Sequence, residues 1–279
     1  MDFSAAAKPG PARATKDRIW LAAATNGKTL PPLYCRTRAD LLDILTGMIQ
    51  PVRGNALICW DFPFGYPCGS GIGGGRIAAR LLAGMVEDGP RDRNNRFDVA
   101  ADINRRIGNP PGPFWGGPRS IVSTNLTEKK PSFEHHGFAE WRVVENQIRA
   151  AGFPSINSVW QLFYNGSVGG QAIMGLALIE RLNERLRGRR TRYWPFETGW
   201  DSELDGVVHA ECWPSLTPFG HIDHPIRDAQ QVTASRDALM EANAGGNWGA
   251  WLGRPPGLSP AELQAVEAEE GWIMGFPLR

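Results

Sequence analysis

A short apolar run that ends in a carboxylate constrains the fold of this chain most. Residues 56–60 (ALICW) are followed directly by Asp61, and Pro63 and Pro67 prevent the segment from continuing as regular structure. A continuous apolar run of this length is typical of a strand that is buried on both faces of a sheet. The carboxylate needs water, hydrogen-bond donors or a cation, because burying an isolated charge is costly. The sequence therefore predicts a strand with a polar or metal-binding site at its open end.

The surrounding pattern predicts strands and helices in mixed order. Residues 18–24 and 28–36 flank Asn26-Gly27, which predicts a hairpin, and apolar spacing predicts a helix over 38–49 before the strand at 55–61. The later predictions are a helix at 169–186, a strand at 207–213, and helices at 228–242 and 260–274. Strands that alternate with helices in this way indicate an α/β protein.

Length and composition favour one large domain. The chain has 279 residues, of which 42% are hydrophobic, enough for a sizeable core. Residues 64–154 are irregular and rich in Gly, Pro and Arg, without a long periodic pattern of their own. We therefore expect a single domain over 1–279, with 64–154 as an insertion that elaborates the core.

Charge and hydropathy limit the partners and the compartment. The net charge is +1, so any site for a polyanion must be a local patch. No stretch approaches the ~18 consecutive apolar residues of a membrane span, and the first residues lack the pattern of a signal peptide. We expect a cytoplasmic protein that does not enter a membrane.

Several short motifs carry a further signal. They are DFS at 2–4, WDFPFG at 60–65, AECWPS at 210–215 and EEGWI at 269–273, with NNRFDVA at 94–100, GSVGGQ at 166–171 and WPFETG at 194–199. Over nearly the whole chain they resemble an uncharacterised bacterial family of predicted RNase H-like nucleases. The resemblance implies an RNase H-like mixed sheet, in which an antiparallel meander is followed by parallel strands, flanked by helices and carrying a large irregular insertion after the fourth strand.

The resemblance also implies an acidic site. It maps Asp2 onto the first acidic position and Asp61 onto the second, and it places the third on the last helix. Glu270 is our first choice there and Glu267 the second; three residues apart, they would share a helix face, whereas Glu269 would point elsewhere.

The start of the chain departs from the family pattern. In the family, the first strand extends upstream of the position that corresponds to Asp2. Either the start codon is misassigned and the strand is truncated, or residues 1–4 form a short stub of it.

Carboxylates held close together repel one another unless a cation lies among them. Oxygen ligands with open water positions favour Mg²⁺ or Mn²⁺, so we expect Asp2, Asp61 and Glu270 as metal ligands. Two such ions could activate a water and stabilise the leaving oxygen of a phosphodiester. The alternative interpretation is structural, because a strand-end Asp before Pro is often a turn residue and an early helical Glu often complements the helix dipole.

Three further groups are candidates for this chemistry. Glu211 interrupts an apolar strand, so its side chain either meets solvent or reaches the acidic site from a neighbouring strand. Asn94, Asn95 and Arg96 lie in a loop-like context, where they could orient a substrate phosphate. Arginines occur in two clusters, which predict either a nucleic-acid surface or solvated faces: Arg91, Arg93, Arg96, Arg105 and Arg106; and Arg187, Arg189, Arg190 and Arg192.

Three functions follow as hypotheses. The first is a divalent-metal-dependent phosphodiester hydrolase, an RNase H-like nuclease that acts on nucleic acid or a nucleotide, with Asp2, Asp61, Glu270, Glu267 and Glu211 as the candidate catalytic acids. The second is a nucleotide- or cofactor-binding protein, because some proteins that resemble this chain carry a label for molybdopterin guanine dinucleotide synthesis. The third is a non-catalytic RNase H-like interaction module.

Overall fold

The computed structural model of the chain describes residues 1–108, 111–154, 156–164, 166–200 and 203–277. It is a mixed α/β structure with a three-stranded parallel sheet and two small antiparallel sheets. The strands are β1 Ile19–Leu21, β2 Ala24–Thr25, β3 Lys28–Thr29, β4 Leu33–Cys35, β5 Ala56–Trp60, β6 Thr191–Tyr193 and β7 Val207–Glu211. The helices are α1 Arg38–Ile49, α2 Gly75–Ala83, α3 Arg96–Ile107, α4 Val143–Ala150, α5 Gly169–Arg185, α6 Arg227–Ala244, α7 Trp248–Leu252 and α8 Pro260–Ala265, with 3₁₀ turns at Pro90–Asp92, Arg119–Ile121 and Pro214–Leu216.

The parallel sheet brings two acidic residues to one edge. Its strand order is β5-β7-β6, and β5 pairs with β7 from Ala56 opposite Val207 to Trp60 opposite Glu211. Because parallel strands run in the same direction, Asp61 follows the end of β5 beside the last residue of β7. The strand predicted at 55–61 is confirmed with its open end at Asp61.

The predicted hairpin is confirmed as two short ladders. Asn26 and Gly27 have φ angles of 50° and 74°, so both occupy the left-handed region that a tight turn between two strands requires. This turn joins β2 to β3, whose register pairs Thr25 with Lys28. Outside it, β1 pairs with β4 in antiparallel register.

Residues 1–3 lie between the antiparallel strands and the parallel sheet. Asp2 forms an antiparallel bridge with Trp20 of β1, with the two backbone hydrogen bonds at 2.9 and 3.1 Å. On the other side, the Met1 amino group donates to the carbonyl oxygen of Cys59 in β5, at 3.0 Å. This short segment therefore places Asp2 next to the end of β5.

Side chains alternate between two buried clusters on the faces of the sheet. Ile58 and Trp60 of β5 belong to the cluster that includes α1 and α5, whereas Leu57 packs on the cluster that contains Val208 and Trp272. Both faces are covered by apolar side chains, as the continuous apolar run predicts.

Helix α6 packs on β1. Ala229 and Val232 of the helix form a small buried cluster with Trp20 of β1. Since Trp20 is also the bridge partner of Asp2, this contact brings the beginning of α6 to the N-terminal segment.

The helix predictions at 38–49, 169–186 and 228–242 are confirmed to within two residues. The helix predicted at 260–274 stops earlier, because α8 widens into a π-helical turn, Val266–Glu270, and Gly271 follows with a φ of 73°. None of the helices in the described residues combines the length and the apolar character needed to cross a bilayer.

The predicted insertion shares the core of the sheet. Ala78 of α2 and Ile103 of α3 belong to the same buried cluster as Trp60 and Leu176. Asn109 and Pro110 of the insertion lie outside the described residues.

Candidate active site

Asp61 lies at the open end of β5, partly exposed. The pKa of Asp61 is raised from its ordinary 3.8 to about 7, first because the surrounding protein removes water from the carboxyl group. The Met1 amino group lowers this pKa, and the charges of Glu211 and Asp228 raise it. Asp61, which the sequence predicts to need a partner, therefore lies near other acidic side chains.

Asp2 is the second member of this group. Burial raises the pKa of Asp2 well above its usual range, and the charges of Asp61 and Asp228 raise it further. A side-chain hydrogen bond with Asp228 also raises the pKa of Asp2. The structure thus brings Asp2 close enough to Asp61 for the charge of Asp61 to affect it.

Asp228, the third member, was missed at the sequence level. It lies in the first turn of α6 and is only 7% exposed, and its Oδ2 accepts a hydrogen bond from the backbone N–H of Asp17 at 2.6 Å. It lies one turn before Val232 and so shares the helix face that packs on Trp20. In the sequence, the only signal for a site at Asp228 is this position next to the apolar face of the helix. An acid in the first turn of a helix also commonly complements the helix dipole, so the signal does not distinguish the two roles.

Glu211 is buried, and its carboxylate is paired with an arginine. It is 2% exposed, and its two carboxylate oxygens accept hydrogen bonds from the guanidinium of Arg142 at 2.7 and 2.8 Å. The backbone N–H of Phe64 also donates to Glu211, at 2.9 Å. Arg142 pairs in addition with Glu145 at 2.9 Å. Glu211 therefore contributes negative charge near Asp61 while Arg142 holds it in place.

Glu270 has structural partners. Its carboxylate accepts from the backbone N–H groups of Cys68 at 2.8 Å and Val143 at 2.6 Å. Asp228, rather than Glu270 or Glu267, is among the acids that raise the pKa of Asp61.

The expectation that Glu267 and Glu270 share a face is wrong. Glu267 accepts from the indole N–H of Trp200 at 2.6 Å, whereas Glu269 accepts from the backbone N–H of Gly69, next to the partner of Glu270. The π-helical turn is the physical reason, since it rotates the side chains away from the spacing of an α-helix.

Asn94 and Asn95 serve the local backbone. The Asn94 amide donates to the carbonyl oxygens of Ala5 and Ala6, each at 3.3 Å. The Asn95 side chain accepts from the backbone N–H of Glu87 at 2.9 Å. Both side chains therefore hold loops near the N-terminal segment.

Arg96 is the member of this motif that retains a free charge. It donates to Asn94 Oδ1 at 2.9 Å and its guanidinium lies 4.2 Å from the centre of the Phe97 ring, and it forms no ion pair with a described residue. Burial lowers the pKa of Arg96 to about 10, and the charge of Arg38 contributes. Its side chain packs against Gly170 at the start of α5. The next residue, Gln171, donates to the carbonyl oxygen of Phe3 at 2.7 Å, which places this cation near the segment that carries Asp2.

Most arginines of the second cluster bind to groups of the protein itself. Arg189 donates to the carbonyl oxygens of Ile49 and Val52, and Arg190 pairs with Asp205. Arg192 donates to the carbonyl oxygen of Glu197 at 2.9 Å. These contacts hold residues 189–192 against neighbouring segments of the chain.

The ligand atoms available at the acidic site are of the type that hard divalent cations prefer. Asp2, Asp61 and Asp228 present only carboxylate oxygens. The charges of Asp61 and Asp228 raise the pKa of Asp2, and that of Asp228 raises the pKa of Asp61. Within the described ranges, no group of three or more His, Cys, Asp and Glu side chains is already arranged to hold a metal ion. A bound cation would relieve the repulsion by which the charges of Asp61 and Asp228 raise the pKa of Asp2.

Comparisons with protein-family models, with curated proteins and with solved structures find no match to this chain.

Proposed function

We propose that this protein is a divalent-metal-dependent phosphodiester hydrolase with an RNase H-like fold. The observation that carries the proposal is the convergence of Asp2, Asp61 and Asp228 from three distant parts of the sequence. The charge of Asp228 raises the pKa of both Asp2 and Asp61, and carboxyl groups with such raised pKa values cluster at enzyme active sites. Asp228 replaces Glu270 as the third acid in this proposal.

The strand arrangement supports the fold part of the proposal. Residues 1–3 lie between β1 and β5, so that antiparallel strands stand on one side of Asp2 and parallel strands on the other. An RNase H-like sheet has this combination, with its acids at the strand ends and on a helix that follows. Helix α6 supplies the helix-borne acid.

The chemistry assigns a role to each residue. Asp2, Asp61 and Asp228 would hold Mg²⁺ or Mn²⁺, which, when bound, supplies charge to activate a water and to stabilise the leaving oxygen. Glu211 would add negative charge near Asp61, since its charge raises the pKa of Asp61. The ion pair with Arg142 fixes the position of Glu211. Arg96 would contact a phosphate oxygen of a nucleic acid or nucleotide, because a guanidinium without a carboxylate partner is the group best suited to do so.

The direct test is cleavage by the purified protein of DNA, RNA and hybrid oligonucleotides with Mg²⁺ or Mn²⁺. We expect hydrolysis that the variant Asp61→Asn loses. The matched control is Asp43→Asn, which removes an exposed acid of α1 that pairs with Arg185. Cleavage retained in Asp61→Asn would contradict the proposal. Stabilisation by a guanine nucleotide without turnover would favour the nucleotide- or cofactor-binding alternative.

A further inference from the structure

A cationic cleft opens beside the acidic site. It has a volume of about 590 Å³ and lies between the loop that precedes β1 and the start of α6. Arg13, Lys16 and Arg227 line it, with Pro11 and Pro225 among its uncharged walls. No acidic residue is among the described residues that line it.

The three cations are available to a ligand. Arg13 and Arg227 form no ion pair with any residue in the described ranges, and the guanidinium carbon of Arg227 lies 5.4 Å from the centre of the Phe219 ring. Lys16 approaches Asp17 at 3.8 Å, but their side chains are 74% and 82% exposed, so water screens this pair. The cleft therefore carries a positive charge that the fold does not neutralise.

The cleft and the acidic site share one structural element. Arg227 is the first residue of α6 and Asp228 the second. The backbone N–H of Asp17, next to Lys16, donates to Asp228 at 2.6 Å. The N-terminal end of this long helix also adds its positive dipole to the cleft. A ligand held there would lie next to the first turn of α6, which carries Asp228.

We propose that the cleft binds the sugar–phosphate backbone of a single-stranded nucleic acid next to the phosphodiester that is hydrolysed. The choice of ligand rests on the proposed function. A group of acids repels any anionic substrate, and cations immediately beside it offset that repulsion for a chain with several phosphates. An open cleft lined by exposed Arg and Lys side chains suits a repeating backbone better than one fixed small anion.

The test measures binding separately from cleavage. A fluorescent DNA strand of about 12 nucleotides is titrated in EDTA at several salt concentrations, so that no metal-dependent hydrolysis occurs. The cleft variant combines Arg13→Gln, Lys16→Gln and Arg227→Gln. The matched control combines Arg53→Gln, Lys129→Gln and Arg254→Gln, which removes the same charge from three exposed residues outside the cleft and outside both arginine clusters. All six side chains are exposed, and a melting curve verifies that both variants fold.

The cleft variant should bind at least about tenfold more weakly than the parent at low salt, and its plot of log affinity against log salt should be shallower by about 2. The control should keep the parent slope. Equal losses in the two variants would overturn the proposal, because they would reflect total charge alone. Cleft-dependent binding to anionic lipid vesicles, with DNA binding unchanged, would overturn it in favour of a membrane surface.

A second measurement separates this proposal from the function on which it rests. DNA binding that depends on the cleft, without any hydrolysis when Mg²⁺ or Mn²⁺ is added, would support the cleft and contradict the hydrolase. Hydrolysis with the same KM in the parent and in the cleft variant would support the hydrolase and overturn the cleft.

Discussion

The carboxyl group of Asp228 is hydrogen-bonded to that of Asp2, although the two residues lie far apart in the sequence. This contact raises the pKa of Asp2, in addition to the larger effects of burial and of the charges of Asp61 and Asp228. Folding therefore holds together groups that would repel if both were ionised. The contact of α6 with Trp20, the bridge partner of Asp2, maintains this arrangement.

The first prediction concerns Asp228→Asn. The amide can still accept the hydrogen bond from Asp17, so the fold should survive, and its melting temperature should stay level or rise because a repelling charge is removed. Hydrolysis should fall by about 100-fold or more, since even residues that only support metal ligands often have effects of this size. The control is Asp237→Asn on the same helix, which alters an acid paired with its neighbour Arg236. Full activity in Asp228→Asn would exclude it from the metal site.

The second prediction is a dependence of stability on pH. The folded state raises the pKa of Asp61 from 3.8 to about 7, so the folded protein binds more protons than the unfolded chain between these values. Its contribution to the free energy of unfolding therefore falls as pH rises across that window. Urea unfolding at about pH 5 and about pH 8 should show a larger decrease for the parent than for Asp61→Asn. An identical decrease in both proteins would show that Asp61 is ionised throughout.

The third prediction is that metal binding releases protons. A cation needs ionised carboxylates, whereas Asp61 holds its proton up to about pH 7 and Asp2 has a raised pKa as well. Calorimetric titration with Mg²⁺ in two buffers of different ionisation enthalpy measures the number of protons released. The release should be larger at about pH 6 than at about pH 8. Magnesium uptake without any pH-dependent proton release would place the ion elsewhere.

Local chemistry made much of the fold predictable. Asn26-Gly27 supplies the two left-handed residues of a tight turn, and Thr37 and Asp40 form a reciprocal cap at the start of α1. The run 56–60 is apolar because both faces of β5 are covered. In each case the residues themselves carry the physical requirement, so the sequence pattern is sufficient.

The third acid and its surroundings depend on tertiary contacts. Glu270 and Asp228 both lie on helices predicted from periodicity, and only the packing of α6 on Trp20 places Asp228 beside Asp2. The partner of Glu211 was also hidden, because Arg142 lies in an irregular segment without a periodic signal. Spacing along one helix gives no information about which helix approaches the sheet edge.

The fourth prediction concerns Arg142. Its guanidinium is buried between Glu211 and Glu145, so Arg142→Gln leaves two carboxylates without a cation. The free energy of unfolding should fall by about 3–5 kcal/mol. Arg105→Gln, which breaks an exposed pair with Asp102, should change it by less than about 1 kcal/mol. If urea unfolding gave the same small change in the free energy of unfolding for Arg142→Gln and Arg105→Gln, solvent would have to reach the Arg142 site.

The fifth prediction uses two helical glycines. A Cβ atom at Gly175 in α5 would clash with the ring of Phe62, which is 2% exposed, whereas at Gly47 in α1 it would meet nothing within 4 Å. Gly175→Ala must therefore displace a packed ring and should lower the free energy of unfolding by about 1–3 kcal/mol. Gly47→Ala should raise it by about 0.5–1 kcal/mol, because alanine has less conformational freedom to lose.

The Gly175 variant should also affect the site. Phe62 follows Asp61, and its ring centre lies 5.1 Å from that of Phe3, which follows Asp2. A shift of Phe62 therefore moves the backbone that carries both acids, and Gly175→Ala should weaken magnesium binding measured by calorimetry. Gly47→Ala should leave that affinity unchanged because its helix contacts neither acid-bearing segment at this position. If both variants bind magnesium as the parent does, the spacing of Asp2 and Asp61 does not depend on the packing of these two phenylalanines.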